Sequence, residues 1–172
     1  FAVQRAHEAV CSLPHDDVQL AEPQATLVMA LVEGEQIWYA WVGDSRLYMI
    51  TETESEQLTA DDSWLNEQLR ASVPIAAALK DANAHCITQC LGMLDGKPEI
   101  HVEAKNLTQG TSLLLCSDGL WNYFDEPEAL RNLLENGNEA ETLAEQCVRL
   151  VDYANAAGGH DNITVAVYRH AR

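Results

Sequence analysis

Three apolar runs rich in β-forming residues follow one another with almost no chain between them. ATLVMALVE (25–33) and QIWYAWV (36–42) are separated by Gly-Glu, and RLYMIT (46–51) follows the short segment Gly-Asp-Ser. Connections this short join antiparallel neighbours, because parallel strands need a crossover of a dozen residues or more. The runs are continuous in apolar residues, which predicts burial on both faces. The segment therefore predicts antiparallel strands with tight turns, and Asp44 lies at the corner of the second turn.

The first part of the chain predicts helices and loops around these strands. Residues 2–13 have the apolar spacing of an amphipathic helix, and residues 15–24 read as a polar loop. Residues 52–111 are less regular, but DDSWLNEQLRAS within them predicts a helix capped by Asp62 or Ser63.

The C-terminal part predicts two further strands and two helices. TSLLLCSDG (111–119) and ITVAVYR (163–169) have strand composition, and EPEALRNLLENG and EAETLAEQCVRLVDYANAAGG between them have helical spacing. Strands followed by helices and a final strand predict an α+β sandwich in which helices cover the sheets.

The balance of charges limits the possible partners. The 172 residues contain 27 Asp and Glu against 10 Lys and Arg, a net charge of −17, and the length predicts a single domain. Nucleic acids and anionic membranes attract clustered Lys and Arg, so we expect neither as a partner. The five scattered cysteines predict reduced thiols in a cytoplasmic protein, and the tryptophans are interpreted as core or loop-anchoring residues.

Three aspartates lie at the ends of strand-like runs. Asp44 lies between two of them, Asp118 follows LLLCS, and Asp161 precedes ITVAVYR. Loops at strand ends converge, so the three carboxylates can meet, and hard cations such as Mg²⁺ and Mn²⁺ prefer oxygen ligands. Gly119 allows close backbone approach to a metal or phosphate. One Asp beside Gly is usually a turn residue, so the combination of all three indicates the metal site.

The ordered motifs resemble the metal-dependent Ser/Thr protein phosphatases of the PPM, or type 2C, family. The likeness runs from about residue 25 to residue 167 through GDSR, LTADDS, CITQCLG, LLLCSDGLW and GGHDNITVAV. It implies a β-sandwich of two antiparallel sheets flanked by helices, with metal ions at one end.

The same resemblance implies roles for individual residues. Asp118 and Asp161 would be the catalytic ligands of the first metal in a dinuclear Mn²⁺ or Mg²⁺ centre. Asp44 would contribute to a third, weaker metal site that shares Asp118. Asn162 would order the loop that carries Asp161, and Arg46 is interpreted as structural, holding its turn.

The chain also departs from the family pattern. The first motif, a bridging Asp followed by Gly-His-Gly, is absent, as is the Arg that binds the substrate phosphate. Asp61-Asp62-Ser63 replaces a common Asp-His-Ser, and Gln89 replaces a common Arg. We therefore expect one type 2C domain over residues 1–172 that lacks its N-terminal strands and has little or no activity by itself.

The implied reaction is hydrolysis of phosphoserine and phosphothreonine in proteins by a water that bridges two metal ions. The implied partners are phosphoproteins and an opposing Ser/Thr kinase, for a monomeric bacterial enzyme. One alternative is a catalytically inert type 2C-like regulatory or binding domain. Another is an esterase with Ser45 as nucleophile and His160 and Asp161 as partners, although the helix and Asp-x-x-His spacing of such enzymes are missing.

Overall fold

The computed structural model describes residues 2–14, 22–124, 126–137 and 141–170. In these ranges the chain forms seven strands, which are β1 (Leu27–Glu33), β2 (Gln36–Val42), β3 (Arg46–Ile50), β4 (Ser55–Gln57), β5 (His101–Asn106), β6 (Ser112–Cys116) and β7 (Val165–Arg169). The helices of the same ranges are α1 (Ala2–Cys11), α2 (Trp64–Arg70), α3 (Ile75–Ala78), α4 (Asp118–Trp121), α5 (Pro127–Glu135) and α6 (Leu143–Ala157).

The strands form two antiparallel sheets, in the orders β1-β2-β5 and β4-β3-β6-β7. Ile37 and Trp41 of the first sheet pack against Leu47 and Leu113 of the second, and this contact is the core between the sheets. The α+β sandwich of two antiparallel sheets is thereby confirmed.

Helices cover the outer face of the second sheet and one end of the outer face of the first. On the first sheet, Val3 of α1 packs against Ala40 and Val42. On the second sheet, Leu130 of α5 and Leu150 of α6 belong to one cluster with residues of β3 and β6. The middle strands β3 and β6 therefore lie between a sheet and helices, which explains their apolar sequences.

The first three predicted strands are confirmed, but their predicted burial on both faces is wrong for β1. Its residues alternate in exposure, and Leu31 is 60% exposed. Trp38, opposite Leu31 on β2, is 46% exposed, so the interpretation of this tryptophan as a core residue is also wrong. The reason is that α1 packs over Ala40 and Val42, near one end of the sheet, whereas Leu31 and Trp38 lie toward the other.

β5 was not predicted because it is an edge strand with a largely polar sequence. His101, Glu103 and Lys105 are bonded to Asp62, Tyr39 and Glu56 respectively, while Val102 faces outward and is 62% exposed. No residue of β5 is buried, so the strand carries no apolar signal.

The predicted helices are confirmed with small shifts in their ends. Ser63 caps α2, since its Oγ accepts the backbone N–H of Asn66 at 3.2 Å. Thr142 and Glu145 form a capping box at the start of α6, which fixes its first residue at Leu143. Residues 15–21 of the predicted loop, and 139–140 of the predicted last helix, lie outside the described residues. No helix in the described ranges has the length and apolar character that a membrane crossing requires.

Candidate active site

The GDSR segment forms a tight turn between β2 and β3 that only glycine can begin. Gly43 has φ +95°, and a Cβ atom there would lie 2.5 Å from Cγ2 of Thr26. The N–H of Gly43 donates to Oδ2 of Asp62 at 2.9 Å, and the N–H of Asp62 donates to the carbonyl of Gly43 at 3.0 Å. Two hydrogen bonds therefore connect the turn to the segment that precedes α2.

Arg46 connects the other end of the same turn to Asp61. Its guanidinium donates two hydrogen bonds to Asp61, at 2.9 and 2.7 Å, and lies 3.5 Å from the ring centre of Trp121. Burial acts to lower the pKa of Arg46, but the hydrogen bonds and charge of Asp61 outweigh it and raise the pKa. Arg46 is thus a permanent cation whose charge is matched by Asp61.

Asp118 begins the one-turn helix α4 directly after β6. The N–H of Gly119 donates to Oδ1 of Asp118 at 2.9 Å. At the other end of α4, Nε1 of Trp121 donates to the carbonyl of Asp44 at 2.9 Å. One helical turn therefore carries Asp118 and also holds the backbone of Asp44.

Asp161 lies on an exposed loop that is held against α4. Asn162 donates its N–H to Oδ1 of Asp161 at 2.7 Å and accepts the hydroxyl of Ser117 at its carbonyl, at 3.1 Å. A Cβ atom on Gly119 would lie 2.3 Å from that same carbonyl oxygen. Glycine at 119 therefore allows the Asp161 loop to approach α4.

Repulsion between carboxylates disfavours the charged forms of Asp44 and Asp118. Burial raises the pKa of Asp44 to about 6, with repulsion from Asp118 and Asp61 as further causes. Burial also raises the pKa of Asp118, with repulsion from Asp161 as the next cause. Asp118 thus interacts electrostatically with both Asp44 and Asp161. A cation bound beside Asp118 would relieve the repulsion in each of these two pairs.

The donor set fits Mg²⁺ or Mn²⁺ in part. Among the described residues, no group of three His, Cys, Asp or Glu side chains is close enough to hold a metal ion. Mg²⁺ is usually held by one or two carboxylates together with water and substrate phosphates. The charge of Asp118 acts on Asp44, and that of Asp161 acts on Asp118, so each pair offers at most two carboxylates for such an ion.

A cavity of about 310 Å³ opens beside two of the aspartates. It is lined by Asp44 and Asp118 together with Arg46, Trp121 and His85. Asp161 does not line this cavity, so the structure places it near Asp118 but outside the opening.

The structure gives no support to Ser45 as a nucleophile. Its hydroxyl is hydrogen-bonded to Oγ1 of Thr26 at 2.8 Å, and the residue is 8% exposed. His160 donates its backbone N–H to the hydroxyl of Tyr123, near α4. These contacts count against the esterase interpretation.

Sequence reasoning missed the parts played by Trp121 and by the pair of Asp62 and His101. The sequence predicts Trp121 as a core or loop-anchoring residue, but it does not predict the hydrogen bond from Trp121 to Asp44. His101 carried no signal, because its hydrogen bond to Asp62 crosses from one sheet to a distant loop.

The family model described as Protein phosphatase 2C matches residues 2–152. The serine/threonine phosphatase stp of Listeria innocua is 32% identical over 164 residues, which are 95% of this chain and 63% of that protein. Protein phosphatase PhpP of Streptococcus pneumoniae is 39% identical over 145 residues, 81% of this chain and 55% of that protein. The chain thus spans less than two thirds of these relatives.

Solved structures agree with the sequence matches. The S. agalactiae serine/threonine phosphatase superposes with a TM-score of 0.85 and 29% identity, over 98% of this chain and 68% of that one. The catalytic domain of the phosphatase PstP, in complex with two manganese ions, superposes with a TM-score of 0.73 and 26% identity, over 96% and 67%. With the family model covering most of the sequence, the chain belongs to the protein phosphatase 2C family.

Proposed function

We propose that this chain is part of a metal-dependent phosphatase that hydrolyses phosphoserine and phosphothreonine in proteins. The observation that carries the proposal is the row Asp44, Asp118 and Asp161, in which the pKa of the first two is raised by burial and by a neighbouring carboxylate. Repulsion between fixed carboxylates is unfavourable for folding. Carboxylates kept close together despite this cost therefore indicate a functional site.

Asp118 and Asp161 would hold one Mn²⁺ or Mg²⁺ ion, and Asp44 with Asp118 would hold a further, weaker one. When bound, such ions lower the pKa of a water molecule and neutralise the charge on the phosphoryl oxygens. The two manganese ions in the PstP structure support a metal centre in a protein of this fold. Bound cations would also allow an anionic substrate to approach a chain with a net charge of −17.

The protein's own residues provide positioning. Backbone N–H groups of Gly119 and Asn162 each bind one oxygen of the neighbouring aspartate, at 2.9 and 2.7 Å, and leave the other oxygen for a ligand. Trp121 donates a hydrogen bond to the backbone of Asp44, and Asp61 forms an ion pair with Arg46, so both residues are held in place beside the cavity. The rigid carboxylates are arranged before the substrate binds.

The 172 residues alone would have little activity. The support is that the described residues contain no group of three metal-binding side chains, whereas efficient phosphate-ester hydrolysis needs firmly held ions. The substrates would be phosphoproteins made by an opposing Ser/Thr kinase, and the protein would act as a monomer. Its free cysteines are in keeping with a bacterial cytoplasm.

The test is Mn²⁺-dependent hydrolysis of p-nitrophenyl phosphate by the full-length protein that contains this chain. Asp118→Asn and Asp161→Asn should each remove the Mn²⁺-stimulated rate. Asp81→Asn is the matched control, because Asp81 also accepts a backbone N–H, from Asn83 at 2.9 Å, but lies outside the cavity.

The second candidate function is a type 2C-like binding or regulatory domain without catalysis. The lack of a group of three metal-binding side chains in the described ranges favours it. A full-length protein that neither binds Mn²⁺ nor shows a Mn²⁺-dependent rate would establish this candidate and contradict the phosphatase proposal.

A further inference from the structure

Asp62 is a buried carboxylate that is hydrogen-bonded from two sides. Its side chain is 2% exposed. Oδ2 accepts the N–H of Gly43 at 2.9 Å, and Oδ1 accepts Nε2 of His101 at 2.8 Å. Because a buried carboxylate is stable only when its oxygens have donors, both contacts are needed to keep Asp62 in place.

His101 is itself held rigidly. It lies on β5 directly opposite Trp41 of β2, and the two rings stack with centres 4.7 Å apart and planes 20° apart. Nε1 of Trp41 donates to the carbonyl of Ala60 at 2.8 Å, two residues before Asp62. The imidazole therefore presents its Nε2 to Asp62 from a fixed position on the sheet.

The contacts form a continuous path from β5 to the aspartates of the candidate site. His101 orients Asp62, Asp62 binds the N–H of Gly43, and Gly43 is followed by Asp44. On the other side of Asp44, Asp61 binds Arg46. Two adjacent carboxylates thus hold the turn before and after Asp44.

We propose that His101 is a positioning residue for Asp44. Its hydrogen bond to Asp62 keeps Oδ2 aimed at the N–H of Gly43, and this contact sets where the Asp44 carboxylate stands relative to Asp118. Without the imidazole donor, the Asp62 carboxylate rotates to bind water through Oδ1. The β2–β3 turn that carries Gly43 and Asp44 then becomes more mobile. This inference rests on the proposed function, because it assigns His101 to the metal-binding turn of that site.

The experiment compares His101→Ala, His101→Gln and Tyr39→Phe in the full-length protein. Glutamine keeps a side-chain N–H donor for Asp62, whereas alanine removes it. Tyr39→Phe is the matched control: it removes the neighbouring hydrogen bond between the same two strands, from Tyr39 to Glu103 at 2.7 Å, without touching Asp62. Hydrogen exchange at the Gly43 amide by NMR reports on the turn without any metal or substrate.

Two results are expected. His101→Ala should speed exchange at Gly43 by about tenfold, the lower end of the range for one lost hydrogen bond to a charged group, and should weaken Mn²⁺ binding at the weaker site by about fivefold in calorimetric titration. His101→Gln and Tyr39→Phe should leave both quantities near those of the unaltered protein. In an Asp44→Asn background, His101→Ala should cause no further loss of Mn²⁺ affinity.

Other results would overturn the inference. Unchanged exchange at Gly43 in His101→Ala would show that His101 does not hold the turn. An equal rise in exchange in Tyr39→Phe would show that His101 only stabilises the sheet as other residues of β2 and β5 do. Faster exchange with unchanged Mn²⁺ affinity would show that the turn's position does not matter to the site. Failure of the proposed function is distinguishable, because the unaltered protein would then bind no Mn²⁺ before any substitution is made, and the inference would fall with it.

Discussion

The indole Nε1 of Trp121 donates a hydrogen bond of 2.9 Å to the carbonyl of Asp44, and the face of the same ring covers the guanidinium of Arg46 at 3.5 Å. Trp121 ends the helical turn that begins with Asp118. The separation between Asp44 and Asp118 is therefore set by one side chain and one short helix, rather than by a flexible loop.

We predict that Trp121→Phe weakens Mn²⁺ binding while leaving the fold stable. Phenylalanine keeps an aromatic face over Arg46 but cannot donate to Asp44, so the loss corresponds to one hydrogen bond, about 1 kcal/mol or about fivefold in affinity. Calorimetric titration with Mn²⁺ measures the affinity, and a melting curve checks the fold. Unchanged affinity in Trp121→Phe would contradict the role given to this indole.

Gly119→Ala should displace the loop that carries Asp161. The added Cβ would lie 2.3 Å from the carbonyl oxygen of Asn162, which is backbone and cannot rotate away. We expect a loss of stability of about 1–3 kcal/mol, typical of forced overpacking, and loss of Mn²⁺-dependent p-nitrophenyl phosphate hydrolysis.

Ser117→Ala is the companion variant for this prediction. It removes the hydroxyl that donates to Asn162 and accepts from Thr164, so it loosens the same loop without a clash. It should reduce the hydrolysis rate less than Gly119→Ala does. Full activity in Gly119→Ala would show that the close approach of the loop to α4 is unimportant.

Asp44→Asn should stabilise the metal-free protein at pH 8. The pKa of Asp44 is raised to about 6 in the folded chain, by burial first and by Asp118 and Asp61 next, against an ordinary value of 3.8. Between these pH values the folded state binds the proton that the unfolded state has released, so the stability contributed by protonated Asp44 is lost as pH rises through 6. After allowance for solvent screening, the cost is about 1 kcal/mol, or a few degrees in melting temperature.

Thermal unfolding with a chelator, at pH 5 and pH 8, tests this prediction. The stabilisation by Asp44→Asn should be larger at pH 8 than at pH 5. Lower stability of Asp44→Asn at pH 8 would mean that the charged aspartate is favourable without a metal ion.

Cys116 and Cys86 should differ sharply in reactivity toward thiol reagents. Cys116 is 2% exposed on β6, and burial raises the pKa of its thiol to about 12. Cys86 is exposed. At pH 8, 5,5′-dithiobis(2-nitrobenzoic acid) followed by mass spectrometry should find Cys86 modified within minutes and Cys116 modified only after unfolding, because the thiolate is the reactive form. Rapid labelling of Cys116 in the folded protein would contradict the packing of β6.

The sequence predicted the structures that depend on local patterns, but it did not predict the contacts between residues far apart along the chain. The apolar runs around Asp44 and the strand before Asp118 identified the antiparallel sheets and the ends where the aspartates lie, because strand composition and tight turns are local properties. β5 escaped prediction because it is an edge strand without a buried residue, and its polar side chains have their partners in other parts of the chain. The contact of Trp121 with Asp44 likewise joins residues far apart in sequence, and no spacing rule reports such a pair.

The pairing of β6 with β7 has a kinetic consequence. Cys116 lies opposite Val165 at one end of the β6–β7 ladder, and this register brings Asp118 and Asp161 to the same end of the sheet. Along the chain, the two aspartates are separated by the helices α5 and α6. Contacts between distant segments form slowly, because the intervening chain must first be closed into a loop. Affinity for a metal ion at this pair should therefore appear late in refolding, only after β7 has paired with β6.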